Sequence, residues 1–352
     1  MSPYSTDQWE KLNQLGNHLD AILARDGLSF TMGAEPTYVL QAASDKPEWS
    51  VEALGDEKRA IGEALIDRLR TRFAPASVIQ YGQGKWYPGE DLPRWALRCI
   101  WLRDQELKWA GQGTDNVLAR LCQQLGVEKT HAREIAEPSA TVLVLGHEEQ
   151  KGWVSAPWPD TLELIPGDGP IGMRLPWSQL DPECPAARIG TAICLQPDRI
   201  FLPPVNSAQL WLDLLRAVQT IGGPLKLEGY APPLPHLQDG GVEGLTLLSV
   251  TPDPGVLEIN LHPAQSWAEL VQILLTVDEE ARDCGLQSRR YWRDGSLIGT
   301  GGGCHLVIGG ATPDQSPFAL RPDLLRSILT YWNHHPALSY FFAGLFVGPT
   351  SQ

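Results

Sequence analysis

Val250-Thr251-Pro252-Asp253-Pro254-Gly255-Val256-Leu257-Glu258-Ile259-Asn260-Leu261-His262 is the stretch on which the fold turns. Pro, Asp, Pro and Gly at 252–255 mark a reversal between two apolar runs, so residues 245–262 are expected to hold two strands. Side chains alternate between faces along a strand. Glu258, Asn260 and His262 therefore share one face, and Leu257, Ile259 and Leu261 share the other. Three hydrogen-bonding groups backed by an apolar row describe the floor of a cleft. The plain alternative is a half-exposed antiparallel strand whose polar side faces water.

Outward from this hairpin, helical periodicity predicts helices over 7–26 (N-capped by Asp7 and ended by Gly27), 55–73, 115–125, 130–135, 207–221, 266–284 and 320–333. Strands are expected within 28–39, 78–81, 97–102, 141–145, 193–202, 225–229 and, after a glycine run, up to 308. Residues 152–188 are rich in Pro, Gly and Trp and read as a long structured loop region, and 338–347 are strongly apolar. Helices and strands alternate irregularly, with hairpin-like breaks. That predicts an α+β fold around an antiparallel or mixed sheet rather than a regular doubly wound one.

Composition narrows the function. The chain has 352 residues, for which a prior of one domain per ~150 residues gives about two. Its net charge of −14 repels phosphate backbones and anionic lipid, so no nucleic-acid and no membrane partner is expected. No apolar run approaches the ~18 residues of a transmembrane helix. The six cysteines form no CxxC pair, which argues against a zinc knuckle or disulfide scaffold and suits a cytoplasmic protein. The 13 tryptophans and the excess of Arg over Lys fit a pocket rich in planar groups, or merely genomic base composition.

Four further segments could carry chemistry. Gly299-Thr300-Gly301-Gly302-Gly303-Cys304-His305 lets the backbone approach a ligand and point N–H groups at an anion, though it is neither a P-loop nor a dinucleotide fingerprint. The alternative is a flexible turn. Cys304 and His305 are strand neighbours on opposite faces, so they are not a nucleophile–base pair, and Cys304 is expected to pack as a small apolar group. Glu35 precedes Pro36, where a strand must lie at an edge or end, and is either a metal ligand or a surface charge. Residues 81–95 gather Gly, aromatic and charged groups; Lys85 or Arg94 could hold an anion there, or the aromatics could simply cover a core edge. Glu228 ends a strand, and His334 and His335 suit a helix C-terminus better than a metal.

Residues 31–39 (TMGAEPTYV), 81–90 (YGQGKWYPGE), 93–97 (PRWAL), 166–176 (PGDGPIGMRLP), 227–233 (LEGYAPP), 250–267 (VTPDPGVLEINLHPAQSW), 299–313 (GTGGGCHLVIGGATP) and 331–352 (YWNHHPALSYFFAGLFVGPTSQ) resemble the bacterial putative amidoligase domain. That domain commonly follows a transglutaminase-like domain in large multidomain proteins. Its family is assigned to the carboxylate–amine ligases of the glutamine synthetase and glutamate–cysteine ligase superfamily. The resemblance implies a curved, mainly antiparallel sheet forming a glutamine-synthetase-like catalytic funnel, backed by helices. Residues 1–27 are then an N-terminal helix. Residues 28–352 form one amidoligase-like domain with a loop-rich insertion at about 105–190, expected to be truncated because family members continue past Gln352.

The implied function is an ATP- and Mg²⁺-dependent carboxylate–amine ligase that forms an amide or peptide bond through an acyl phosphate. Its substrates would be small-molecule or peptide carboxylates and amines, with a transglutaminase-like domain or protein as a possible partner. Glu35, Glu228 and Glu258 resemble metal carboxylates, although Thr37 stands where the superfamily has a second acidic residue. Gly301, Gly302 and Gly303, with Lys85, would meet the nucleotide. His305 and Glu258 would be catalytic. Asn260 and His262 would orient the acid, and Arg94, Arg174 or Arg321 would pair with its carboxylate. A rival reading is a catalytically inactive peptide- or protein-binding module of a transglutaminase-associated system. A transglutaminase or thiol-protease role for Cys304 is a third.

Overall fold

The computed structural model describes residues 5–90, 93–103, 105–107, 116–136, 139–158, 163–167, 170–176, 191–219, 225–233, 242, 244–291, 294–310 and 312–338. The predicted apolar run after residue 338 lies outside these residues, as do 177–190 of the loop-rich region. Two compact units divide the chain: Met1–Phe73 with Leu248–Gln352, and Ala74–Leu247.

The first unit begins with helix α1 (Thr6–Arg25), then strands β1 (Thr31–Glu35) and β2 (Thr37–Leu40) and helix α2 (Asp56–Phe73). The N-cap of α1 is Ser5 rather than Asp7. Ser5 and Gln8 exchange side-chain and backbone hydrogen bonds in a capping box, which satisfies two donors where an Asp cap satisfies one. Gly27, at φ +70°, closes the helix as expected. Pro36, which has no N–H to give a ladder, splits the predicted strand 28–39 into two that pair in different sheets.

The second unit holds β3 (Val78–Gln83), β4 (Trp95–Leu102), α3 (Val117–Leu125), β5 (Arg133–Ile135), β6 (Ala140–Glu148), β7 (Gly152–Ala156), β8 (Thr191–Gln196), β9 (Arg199–Leu202), α4 (Ala208–Gln219) and β10 (Lys226–Gly229). Its strand order is β4-β3-β10-β9-β8-β6-β5, with β7 also on β6. The expected helix at 130–135 is instead a single 3₁₀ turn, Lys129–His131, followed by β5, which gains a ladder on β6. β10 pairs in parallel with both β9 and β3, because the β9–α4–β10 crossover returns it in the same direction. Leu212, Leu214, Leu215 and Val218 of α4 are fully buried in this crossover. At the end of β10, Gly229 adopts φ +111°, and a Cβ there would overlap the Leu202 backbone; the position accepts glycine alone.

The chain returns to the first unit through β11 (Leu245–Asp253), β12 (Val256–Asn260), α5 (Trp267–Asp283), β13 (Leu286–Gln287), β14 (Arg290–Tyr291), β15 (Leu297–Ile298), β16 (His305–Gly309), α6 (Pro317–Leu320) and α7 (Pro322–His334). Here the order is β13-β2-β12-β11, all antiparallel, beside a β1–β16 pair and a β14–β15 pair. Leu257, Ile259 and Val250 are fully buried on the apolar side of the hairpin. The helices are tied by α1 and α5, where the Trp267 ring fills the space a Gly16 side chain would need, and by α2 and α5. Glu280 of α5, only 4% exposed, lies between Arg72 (2.6 Å, Nη1 to Oε1) and Arg68 (2.6 Å, an ion pair without hydrogen-bond geometry) of α2. The protein is thus α+β with mainly antiparallel sheets, as the sequence implies, and among the described residues no sheet closes into a barrel. Among those residues, no helix is long and apolar enough to cross a membrane.

Candidate functional site

The β11–β12 hairpin turns at Pro254-Gly255, with Asp253 opposite Val256. Gly255, at φ +72°, supplies the backbone conformation that this tight reversal needs. From this register, Thr251 faces Glu258 and Ser249 faces Asn260 on β11, while Thr37 of β2 faces Glu258 from the other side. Two further hydrogen bonds, Ile259 N to Pro36 O and Leu261 N to Ala34 O (both 3.0 Å), carry the same register into β1 and set Glu35 opposite Asn260. Across β1, Glu35 pairs with His305 of β16. Antiparallel partners project to the same side of a sheet. Two adjacent polar rows therefore cross the strands, His305–Glu35–Asn260–Ser249 and Thr37–Glu258–Thr251.

Within these rows, Asn260 Nδ2 donates to Glu258 Oε1 (3.1 Å) and to Thr251 Oγ1 (3.3 Å). His305 Nδ1 lies 2.8 Å from Glu35 Oε2. The glycine loop closes over the second row. Thr300 and Thr37 share a hydroxyl–hydroxyl hydrogen bond, and a Cβ at Gly302 would come within 2.9 Å of both Thr37 Cγ2 and Val256 Cγ2. Glu258 is 6% exposed, so the reading of a strand with its polar side in water fails: both faces of β12 are covered. A carboxylate so far from solvent needs hydrogen-bond donors, and Asn260 supplies one.

His262 does not join the rows. β12 ends at Asn260, and the His262 ring packs edge-to-face on Phe73 of α2, with centroids 5.0 Å apart. Pro263 follows His262 and restricts its backbone, which breaks the strand alternation that grouped it with Glu258. Burial holds the His262 pKa below the ordinary imidazole value, against a smaller upward pull from Glu269. Although Cys304 as a residue is exposed, the atoms packed around its thiol push the pKa up, and the Glu35 carboxylate adds to this. The thiol is therefore held protonated, contrary to what a nucleophilic cysteine needs.

The other candidates belong to the second unit. Glu228 pairs with Arg199 (2.7 Å), which also holds Asp198. Arg94, 7% exposed, donates Nε to Glu90 (2.8 Å) and stacks on Tyr87 (4.4 Å). Lys85 is exposed in the β3–β4 connection, where its carbonyl accepts from Arg94 N (3.0 Å). Arg174 donates Nε to the Ile165 carbonyl (2.9 Å), and in the first unit Arg321 forms a fork with Asp323.

The sequence matches the family described as "Putative amidoligase enzyme" over residues 1–143 and 183–352. The chain belongs to that family. No curated protein and no solved structure matches it. For an amidoligase-family chain, a magnesium–nucleotide site is the arrangement to test. Among the described residues no group of three or more His, Cys, Asp or Glu side chains is placed to hold a metal. Mg²⁺ is commonly bound by one or two carboxylates together with substrate phosphates. Glu35 and Glu258, on one face in adjacent rows, fit that smaller requirement, and Thr37 faces Glu258 from β2.

Four residues of this site, Glu35, Glu258, Asn260 and His305, were marked in the sequence by residue type and strand position. The partners Thr251, Ser249 and Thr300 gave no sequence signal, because Ser and Thr on strands are common for packing reasons alone.

Proposed function

We propose that this protein joins a carboxylate to an amine on the polar rows of the first unit, at the expense of ATP with Mg²⁺. The observation that carries the reading is the antiparallel register that sets His305, Glu35, Asn260 and Glu258 on one face under a glycine loop. Membership of the amidoligase family supports the reaction class. The nucleotide would supply the phosphoryl group that converts the acid to an acyl phosphate, and the metal would neutralise phosphate charge.

Each residue has a defined part. Glu35 and Glu258 hold the metal from two adjacent strands. Asn260 keeps Glu258 oriented through its amide hydrogen bond. His305, with its Nδ1 turned to Glu35, has Nε2 left to aim at charge developing on the activated acid. Gly301, Gly302 and Gly303 leave their N–H groups open to phosphate oxygens. Small-molecule or peptide acids and amines suit the acidic chain; nucleic acids do not.

Hydroxylamine can stand in for the amine. The protein with ATP, Mg²⁺ and a panel of amino acids and peptides is expected to form hydroxamate and release phosphate in equal amounts. Glu258→Gln is expected to lower this by about 10²-fold or more while the fold is retained. A chain with no affinity for ATP or Mg²⁺, and no response to Glu258→Gln, is instead the inactive binding module, which the Thr at position 37 favours.

A further inference from the structure

Nothing in the sequence around Arg290 distinguishes it, yet its surroundings do. β14 holds its guanidinium half-buried between the β11–β12 turn and the glycine loop. Nη2 donates to the carbonyls of Trp49 (3.2 Å) and Gly255 (3.4 Å). On the other side, a methyl group built on Gly301 would lie 3.6 Å from Nη1. Among the described residues no carboxylate pairs with Arg290, and neither Nη1 nor Nε has a partner. The contrast with the other candidate arginines is plain, since Arg94 and Arg321 each have a carboxylate. A partly desolvated cation held only by neutral carbonyls gains most from an anion brought to its open edge.

The neighbouring loop completes the setting. Gly301 sits at φ +99°, and Gly301, Gly302 and Gly303 place no side chain between their N–H groups and an approaching ligand. Guanidinium nitrogens and backbone N–H groups together match the tetrahedral oxygens of phosphate. We propose that Arg290 and the glycine loop form a subsite for a phosphate oxyanion. Its occupant as a nucleotide phosphate rests on the ligase reading; the subsite itself does not.

The test is calorimetric titration of the full chain with pyrophosphate and, separately, with ATP, both without Mg²⁺. Pyrophosphate is expected to bind, Arg290→Gln to weaken it by about tenfold or more, and Arg290→Lys to fall between. Arg25→Gln, on the exposed face of α1, is expected to change nothing. ATP weakened in the same ratio identifies a nucleotide phosphate, whereas pyrophosphate binding alone identifies a free one. Absent pyrophosphate binding, or binding indifferent to both Arg290 variants, overturns the subsite. Because Arg290 also anchors two carbonyls, the wild-type chain gives a second measurement: pyrophosphate is expected to protect Arg290 from phenylglyoxal, read by peptide mass mapping, and equal modification with and without it overturns the proposal. ATP turnover that persists in a chain whose pyrophosphate binding is absent or indifferent to Arg290 would sink this subsite and leave the ligase reading standing. Arg290-dependent pyrophosphate binding in a chain that turns over no ATP would do the reverse.

Discussion

Strands β12 and β16 each carry one of the two residues assigned to catalysis, in opposite settings. β12 has neighbours on both sides and is buried on both faces, so Glu258 is 6% exposed and Ile259 fully buried. Among the described residues β16 pairs only with β1; there the His305 side chain is 59% exposed and Leu306, Val307 and Ile308 are 70%, 52% and 45% exposed. A carboxylate on a central strand is fixed by its neighbours before any ligand arrives. His305, exposed on a strand that among the described residues has one neighbour, keeps water contact, and its hydrogen-bond partner among those residues is Glu35. The pair thus divides a rigid anchor from an adjustable donor.

Truncation separates the strands most sharply. Ile259→Ala is expected to cost ~2–5 kcal/mol, whereas Val307→Ala should stay within about 0.5 kcal/mol. Chemical denaturation of both variants checks this, and equal losses would break the comparison. Next comes activity. His305→Gln is expected to lower hydroxamate formation by about 10²-fold with no change in ATP affinity, while Glu258→Gln lowers both. A His305→Gln variant that loses ATP affinity as well would make His305 an anchor too.

The smallest effect concerns His262, the histidine that packs instead of acting. Its folded pKa lies below the unfolded value, so as pH falls the folded chain takes up this proton later than the unfolded chain does. Its contribution to stability is complete above about pH 6.5 and is lost as pH drops through the lower folded value. Melting temperature should therefore decline from pH 7 to pH 5, and His262→Phe should flatten part of that slope. An unchanged slope would show that the burial of His262 on Phe73 does not set this pH dependence.

Legibility followed the range of the interaction. The helices 56–73, 208–219 and 267–283 and the 245–260 hairpin were legible because apolar spacing, caps and the Pro-Asp-Pro-Gly turn act between near neighbours. The 130–135 helix was misread because three residues of ladder on β6 outweigh a weak local helical tendency. Arg290 was not legible at all: its value comes from Trp49, Gly255 and Gly301, none adjacent to it in sequence.

The amino-acid sequence by itself determined the α+β class, the polar face of the 258–260 segment, the glycine loop and the family. Each is written in short-range pattern or in residue identity. Tertiary structure alone decided that Glu35 meets His305, that Glu258 is buried, that Glu228 is taken up by Arg199 and that Arg290 faces the loop. Those outcomes depend on strand register and burial, which arise from contacts between segments as many as 279 residues apart.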